Sequence, residues 1–413
     1  MPRCSSLSQP HDPDLSRMLI VYVATGLAFM LFPGTFVGVV NLMKIASAHT
    51  AGAADAAWVQ AHGHAQLFGW LGTFILGIGY YAIPRLRLSP FSRAAAWTTY
   101  ALWTSGVAIR WAIGTWPWQW RLLLILSAAL ELQAVGIFAI SVFFSRPRAR
   151  NDAWRNSIVM ISAAGAAMVA GVAINAVESF IVALDGNAPV FPPAFNQRYL
   201  VLITWGFVVP FIWGFSSRWL PPLLGLKKTR NALLIPALVT LFIGVALASG
   251  IVLAAASAIY IAALRLFEKS ERAPKIRPLY IRSAYTWSII AALLGMIAGR
   301  GFAGASRHAL TVGFFAAAAF TIGSRVLPAF FNVRRVWSTR LMVVSLVLLN
   351  IGCATRVVAQ ILAYEQFSTH AWPALTVSAI IEMTAVTLFA ANMILTLATG
   401  SPLEAAGRKL QTA

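Results

Sequence analysis

Charged residues and cysteines are scarce in this chain. Only 11% of its 413 residues are charged, against roughly 25% in soluble domains, while hydrophobic residues make up 59%. This composition excludes an ordinary soluble protein. The two cysteines, Cys4 and Cys353, lie in the N-terminal tail and inside an apolar run, so they form neither a disulfide framework nor a CxxC metal site.

Apolar runs of about twenty residues recur along the whole chain, and each is long enough to cross the hydrocarbon layer as a helix. The short alternating strands of a closed barrel are not seen. We therefore predict an all-α polytopic membrane protein with twelve transmembrane helices. The predicted spans are 18–43, 61–84, 93–113, 121–144, 155–182, 199–221, 230–247, 249–267, 279–300, 307–331, 337–361 and 371–398.

The two ends of the chain are more polar than its middle. Residues 1–17 and 399–413 are predicted to be cytoplasmic tails, and residues 18–398 a single transmembrane domain. The apolar run that follows residue 17 is too long for the hydrophobic part of a signal peptide, so we expect the N-terminal tail to be retained.

Acidic residues are few, 12 against 32 lysines and arginines, and the net charge is +20. The cations are not interleaved with aromatic residues as in nucleic-acid modules, so no nucleic-acid partner is expected. They gather in alternate loops, which predicts that both termini lie on the cytoplasmic side of a bacterial inner membrane. The cation-rich loops contain Arg85, Arg87 and Arg93; Arg146, Arg148, Arg150 and Arg155; Arg218, Lys227, Lys228 and Arg230; Arg265, Lys269, Arg272, Lys275, Arg277 and Arg282; and Arg325, Arg334, Arg335 and Arg340.

Histidine is also rare, with six in the chain, yet His62 and His64 both stand at the start of the second predicted span. Ionisable groups inside a membrane are uncommon and mark functional sites by default. A spacing pattern that begins at His64 occurs three times in the chain. In each copy the first position is followed five residues later by a glycine, and that glycine is followed fifteen residues later by a proline. The three copies are His64, Gly69 and Pro84; Val201, Gly206 and Pro221; and His308, Gly313 and Pro328.

This repeat falls on spans two, six and ten. A mark on every fourth of twelve helices predicts three four-helix arcs related by a pseudo-threefold axis, rather than the two six-helix halves of many transporters. All three marked helices are predicted to run inward from the outer face. We therefore expect His62, His64 and His308 at a similar depth near that face.

Two histidines on facing helices are the arrangement that a bis-histidine haem needs. His62 and His64 are two residues apart, about 200° around a helix, so they cannot readily serve one metal from the same face. His64 is in register with His308 and is the better candidate, with His62 left for a second site, a carboxylate or interfacial water. The alternative is that these histidines are interfacial polar residues bound to loop backbone.

Arginines on the outer side are able to bind the propionates of a haem through paired hydrogen bonds. Arg300 and Arg307 are the candidates beside His308, and the other outer arginines are Arg110, Arg121, Arg198 and Arg356. The alternative for each of them is a headgroup anchor whose charge extends to the interface.

Three carboxylates, Glu131, Glu178 and Glu382, lie within predicted spans. They are either proton carriers or partners of a histidine, or polar groups that hold helices together. Glu178 is predicted to lie closest to the histidine layer. The carboxylates also support a different hypothesis, a haem-free transporter of a small molecule or ion. A quinol-linked oxidoreductase with a metal site that lacks histidine is a third.

The segments from His62 to Gly69 and from His308 to Gly313 resemble motifs of the NnrS family of membrane proteins. The helical plan also resembles subunit I of haem–copper oxidases, in which a haem lies between the second and tenth helices. These resemblances imply a b-type haem held between spans two and ten by His62, His64 and His308, with Arg300 and Arg307 beside it. They also imply copper and a link to nitric oxide as a small gas ligand.

The chain departs from both patterns. Ala65 and Gln66 stand where the NnrS family usually has an acid and a methionine, and Ala329-Phe330 stands where it has a Gly-His pair. Spans six and seven contain no histidine, so the copper ligands of the oxidases are missing. We therefore expect at most one haem and no binuclear centre, and turnover as an oxidase or reductase is not expected.

Overall fold

The structure, a computed structural model, describes residues 13–87, 89–90, 92–144, 154–268, 276–330, 333 and 336–411. These residues form helices and short connections, and no β-strand occurs among them. The helices are α1 (13–48), α2 (Ala56–Arg87), α3 (Arg93–Thr115), α4 (Trp120–Val142), α5 (Arg155–Asp185), α6 (Pro193–Leu224), α7 (Asn231–Leu247), α8 (Gly250–Leu264), α9 (Ile276–Leu294), α10 (300–330), α11 (Thr339–Tyr364) and α12 (Trp372–Gln411).

Each predicted span falls on one of these helices. Eight of the described helices, α1, α2, α4, α5, α6, α10, α11 and α12, are long and apolar enough to cross a membrane. The helices α7 and α8 and the segment Leu279–Leu294 of α9 are shorter but also apolar. The chain is therefore an all-helical membrane protein, while the number of twelve crossings stays a prediction.

Some predictions concern residues outside the described part of the chain. They are residues 1–12, with Cys4, and the loop cations Arg146, Arg148, Arg150, Lys269, Arg272, Lys275, Arg334 and Arg335. The first helix begins at Pro13 and the last ends at Gln411, so both extend beyond the predicted domain limits of 18 and 398.

The helices form one bundle in which each packs on its neighbours in sequence, and α12 returns to pack along α1. The outward faces of the bundle carry large apolar side chains. On α5, for example, Val177, Phe180 and Leu184 are more than half exposed. Extended apolar surface of this kind is stable where lipid rather than water surrounds the protein.

The helices α2, α6 and α10 lie in the interior of this bundle. In their most apolar stretches 89%, 78% and 56% of the residues are buried, whereas no more than half are buried in the other five long helices. The ring of Trp70 on α2 meets that of Phe320 on α10 with centroids 6.2 Å apart. The three helices that carry the sequence repeat are therefore the ones that occupy the interior.

A π-helical segment occupies the same position in each inner helix. The segments are Ala65–Gly72, Leu202–Val208 and Ala309–Ala316, and they begin directly after His64, Val201 and His308. A π-helical turn leaves backbone groups without their usual partners, and such turns often occur at functional sites. In α2, the Phe68 carbonyl within this segment accepts a hydrogen bond from Trp103 Nε1 on α3.

A second contact recurs between the third and fourth helices of each predicted arc (arc one, α1–α4; arc two, α5–α8; arc three, α9–α12). A glycine of the third helix leaves no room for a Cβ atom because a side chain of the fourth helix lies against it. The pairs are Gly106 with Glu131, Gly244 with Leu253, and Gly352 with Glu382, and the Cβ position would lie 2.9, 2.8 and 2.6 Å from the nearest atom of that side chain. This contact places a carboxylate in arcs one and three and a leucine in arc two.

Replacement of Gly106 by alanine is expected to separate α3 from α4. The added methyl group would lie 2.9 Å from both Glu131 Cγ and the Ser127 carbonyl oxygen, and the backbone oxygen cannot move aside easily. We expect Gly106→Ala to lower the free energy of unfolding by about 1–3 kcal/mol, the usual cost of overpacking. Gly136→Ala on α4 is the control, because no atom lies within 4 Å of its Cβ position. Equal thermal stability of the two variants in detergent would contradict this packing.

One carboxylate joins the connections that follow α6 and α8. Glu268 accepts hydrogen bonds of 2.8 and 2.7 Å from Arg265, and it lies 3.2 Å from Lys227 and 3.3 Å from Arg230. The hydrogen bonds from Arg265, with the smaller effect of Lys227, lower the pKa of the Glu268 carboxyl to about 2. The charged form of Glu268 is therefore the one that ties the two connections together.

A lowered carboxyl pKa stabilises the folded state above the unfolded-state value of about 4.3, and this effect is lost as the pH falls towards 2. We expect the melting temperature of wild type to exceed that of Glu268→Gln by a small margin. This difference in melting temperature should be constant from pH 7 down to about pH 5 and shrink at lower pH. The margin is small because the Glu268 side chain is 31% exposed and water screens its ion pairs. Thermal unfolding at several pH values measures it, and a margin that persists unchanged in strong acid would show that the charge is not responsible.

Candidate functional site

His62 lies just before the π-helical segment of α2 and is held by the backbone of α1. Its Nδ1 donates a hydrogen bond of 2.7 Å to the Gly34 carbonyl oxygen. Because a carbonyl oxygen only accepts, Nδ1 carries the proton, and the neutral ring keeps a lone pair on Nε2. Nε2 forms no hydrogen bond with any residue that the structure describes. The ring rests against Gly38, where a Cβ atom would lie 2.7 Å from Cε1.

The same imidazole lies within electrostatic range of residues in arc three. His62 interacts electrostatically with His308 on α10, Arg356 on α11 and Glu382 on α12. The sequence register favoured His64 as the partner of His308, and that choice stays a prediction. His62 is the histidine for which the structure gives an interaction with His308.

His308 stands directly before the π-helical segment of α10 and is paired with a carboxylate. Its Nε2 lies 2.7 Å from Oε1 of Glu382, and the two side chains are 21% and 9% exposed. An ionised carboxylate only accepts, so Nε2 donates and Nδ1 keeps the lone pair of the neutral ring. Carboxylates in this position orient the imidazole ligands of metal sites and make them more basic.

His64 forms the equivalent pair on another side of α2. Its Nε2 lies 2.7 Å from Oε1 of Glu131, which is fully buried on α4. The imidazole also stacks on Phe68, with centroids 4.5 Å apart and an angle of 8° between the rings. His64 therefore faces α4 while His62 faces α1, in agreement with the wide angle predicted between them.

The two imidazole–carboxylate pairs occupy the same place in arcs one and three, and arc two has Val201 and Leu253 at these positions. Sequence reasoning found the histidines by their register and offered the glutamates as partners of a histidine, but it did not predict which glutamate pairs with which histidine. The separation is 67 residues in one pair and 74 in the other, so a fixed sequence spacing does not reveal it. The sequence feature that could have revealed the pairs is a glycine on the third helix of an arc together with a glutamate on the fourth.

Glu178 does not pair with a histidine, although its predicted depth made it the most interesting of the three carboxylates. It forms no hydrogen bond or ion pair with a described residue, whereas Glu131 and Glu382 each bind an imidazole directly. Asn175, one turn earlier on α5, does reach this region, and its Nδ2 lies 3.4 Å from Oε2 of Glu131. The polar residues of α5 therefore contribute through Asn175.

The predicted arginines lie in different surroundings. Arg300 and Arg307 are exposed near the start of α10 and form no ion pair with a described residue. Arg307 interacts electrostatically with Arg356, which is 9% exposed. Arg110 is 3% exposed, and its Nη1 donates to the Pro189 carbonyl oxygen at 3.3 Å. Arg356 and Arg307 are thus cations linked electrostatically to the cluster around His62 and His308, and the role of Arg300 stays a prediction.

The imidazole nitrogens of this layer fit a cofactor that takes two histidine ligands from the protein. Within the described ranges, no group of three or more His, Cys, Asp or Glu side chains could hold a metal ion. A haem provides four nitrogen ligands itself and needs one or two from the protein. His62 and His308 suit this demand, because each has one ring nitrogen bound to an acceptor and the other without a hydrogen bond.

Exchange of the arc-one pair for the arc-two residues tests whether the arcs are equivalent. His64→Val leaves Glu131 buried without its imidazole, and Glu131→Leu leaves His64 without its acceptor, so each is expected to cost about 3–5 kcal/mol of unfolding free energy. The double variant should recover most of this loss because it copies Val201 and Leu253. Unfolding in detergent measures all three variants, and a double variant no more stable than either single one would argue against the equivalence.

No curated protein is found to match this chain. A family model described as NnrS protein matches residues 18–399, which include all the inner helices and both imidazole–carboxylate pairs. The resemblance carried by the segments around His62 and His308 is thereby confirmed over nearly the whole chain. The chain therefore belongs to the NnrS family.

Proposed function

We propose that this NnrS-family membrane protein binds one b-type haem between α2 and α10, with His62 and His308 as its ligands. The proposal depends on one observation: the Gly34 carbonyl orients His62 through Nδ1, leaves Nε2 free, and holds the ring within electrostatic range of His308. Histidines that bind a metal through one ring nitrogen commonly donate from the other to a backbone carbonyl or a carboxylate.

His64 is the weaker candidate for the second ligand. Its pairing with Glu131 is the same as that of His308 with Glu382, but one face of its ring is covered by Phe68, and its side chain is 8% exposed against 21% for His308. Phe68 packs in turn on Trp103 of α3, with centroids 5.4 Å apart. His64 therefore belongs to the packed boundary between α2, α3 and α4. In this proposal it positions α2, so that His62 is presented to arc three.

The surrounding residues define what the site is able to do. A bound haem supplies an iron centre suited to electron transfer or to the binding of a small gas. The Gly34 carbonyl holds the ring of His62, and the Glu382 carboxylate holds that of His308. Further along α2 and α10, the paired rings of Trp70 and Phe320 fill the interior and exclude water from that side.

Nitric oxide is the gas ligand that we propose, on the basis of the family resemblance. Copper is not part of the proposal, because α6 and α7 contain no histidine to bind it. For the same reason no turnover of the oxidase or reductase type is proposed. The function is therefore binding or sensing of a gas, or electron transfer, at a single haem.

We also infer twelve crossings in three arcs about a pseudo-threefold axis, with both termini on the cytoplasmic side of the bacterial inner membrane. Two recurring features support the arcs, the π-helical segment of each inner helix and the glycine contact between the third and fourth helices. The alternation of cation-rich loops supports the orientation.

The alternative of a haem-free transporter has less support. It requires carboxylates that are able to accept and release a substrate or an ion along a path. Glu131 and Glu382 are instead each bound to an imidazole, so only Glu178 among the three is left without such a partner in the described structure.

Purified protein in detergent is expected to show a Soret band and about one haem per chain by the pyridine haemochrome assay. We expect His62→Ala and His308→Ala each to reduce bound haem about tenfold or more, because each removes a ligand. His64→Ala is the matched control, since it removes an imidazole of the same layer, paired with a glutamate as His308 is, that the proposal does not assign as a ligand. It should keep most of the haem in the fraction that elutes as folded protein. Nitric oxide should shift the Soret band of the wild type.

A colourless protein from cells with an ample haem supply would contradict the proposal. Loss of haem in His64→Ala with full retention in His62→Ala would reverse the ligand assignment. Transport of an ion by such colourless protein in proteoliposomes, abolished by Glu178→Gln, would favour the alternative.

A further inference from the structure

Arg356 is a buried cation whose hydrogen-bond donors the protein does not satisfy. Its side chain is 9% exposed on α11, and Nε and Nη1 are both buried without a partner in the described part of the chain. Burial of a charged donor without an acceptor is costly, so such a group indicates a ligand or another unrecorded partner. Tyr364 and Glu382 interact with Arg356, but Glu382 is hydrogen-bonded to His308, and Nε and Nη1 of Arg356 stay without a partner among the described residues.

Arg110 occupies the same place in arc one and is covered by the protein itself. Each arginine lies four residues after the glycine that packs on the glutamate of its arc. Arg110 donates to the Pro189 carbonyl oxygen at 3.3 Å, and its guanidinium lies 5.3 Å from the ring centre of Phe191. It keeps one unpartnered nitrogen, whereas Arg356 keeps two. The connection after α5 therefore gives Arg110 a carbonyl acceptor, whereas Nε and Nη1 of Arg356 have no acceptor among the described residues.

A second cation and an unpaired amide lie in the same region. Arg307 interacts electrostatically with Arg356, is accessible, and has no carboxylate partner among the described residues. Gln360, one turn after Arg356 on α11, is 5% exposed and its Oε1 has no hydrogen-bond partner. Two guanidinium groups without a carboxylate of their own attract an anion with paired oxygens, because the planar fork of arginine matches that geometry.

We propose that Arg356 and Arg307 form a binding site for a carboxylate-type oxyanion beside His308. The oxyanion is either a propionate group of a haem, in which case the source rests on the function proposed above, or a free small anion. Both present the same pair of oxygens to the guanidinium. Because Nε and Nη1 of Arg356 are enclosed, the anion binds with a shift of this side chain and approaches from the accessible Arg307.

Sodium propionate is the probe for the site itself. Isothermal titration of the haem-free full chain in an uncharged detergent is expected to show saturable binding. Arg356→Gln should weaken that binding about tenfold or more, the effect of one lost hydrogen bond to a charged group. Arg356→Lys keeps the charge but not the fork and should fall between wild type and Arg356→Gln. Arg110→Gln is the matched control from arc one and should bind as wild type does.

Absence of saturable binding to folded wild type would overturn the site, as would an equal loss in Arg356→Gln and Arg110→Gln. Titration with protohaem and with its dimethyl ester separates the two sources. Three results together would identify the carboxylate as that of haem. Wild type would bind protohaem more tightly than the ester, Arg356→Gln would lose this preference, and bound haem would block the binding of propionate. If both haems bind equally and propionate still binds, the anion is free. A missing Soret band would end the haem proposal alone and leave the propionate result standing.

Discussion

The arrangement of the inner helices depends on one kind of interaction, a hydrogen bond between an imidazole and a carboxylate that are both buried among apolar helices. Neither His64 nor Glu131 is tolerated alone in such surroundings, because a lone buried carboxylate or imidazole loses its hydration without compensation. The pair in arc one and the pair of His308 with Glu382 in arc three each join an inner helix to the fourth helix of its arc. Each pair thereby fixes both the rotation of the inner helix and the orientation of one ring.

The same arrangement of four helices occurs with a different set of side chains in each arc. Arc two has Val201 and Leu253 where the others have a histidine and a glutamate, and it keeps the π-helical segment and the glycine contact without any charge. The framework is therefore independent of the polar pairs, and the pairs are an addition to it. Arc one surrounds its pair with Phe68, Trp103 and a covered arginine, whereas arc three leaves His308 partly accessible and Arg356 unsatisfied. Two arcs built alike thus differ in how much room they offer a ligand.

The sequence repeat identified which helices are equivalent, but equivalent residues of two helices need not contact each other. His64 and His308 correspond to each other as members of two arcs, and for that reason each turns towards the glutamate of its own arc. His62 has no counterpart in the repeat, and it lies within electrostatic range of His308 in the other arc. Depth along a helix was also an incomplete guide, because Glu178 lies on a face of α5 that meets no histidine, while Asn175 on the same helix reaches Glu131.

The sequence by itself determined the membrane class, the positions of the helices, the repeat on the second, sixth and tenth of them and the family motifs. These follow from composition, run length and spacing, which are local properties of the chain. Only the tertiary structure decided which nitrogen of each histidine is occupied, which glutamate accepts from it and which arginine lacks a partner. Those facts depend on how helices are rotated against one another, and that rotation results from packing between residues far apart in sequence, such as Gly352 and Glu382.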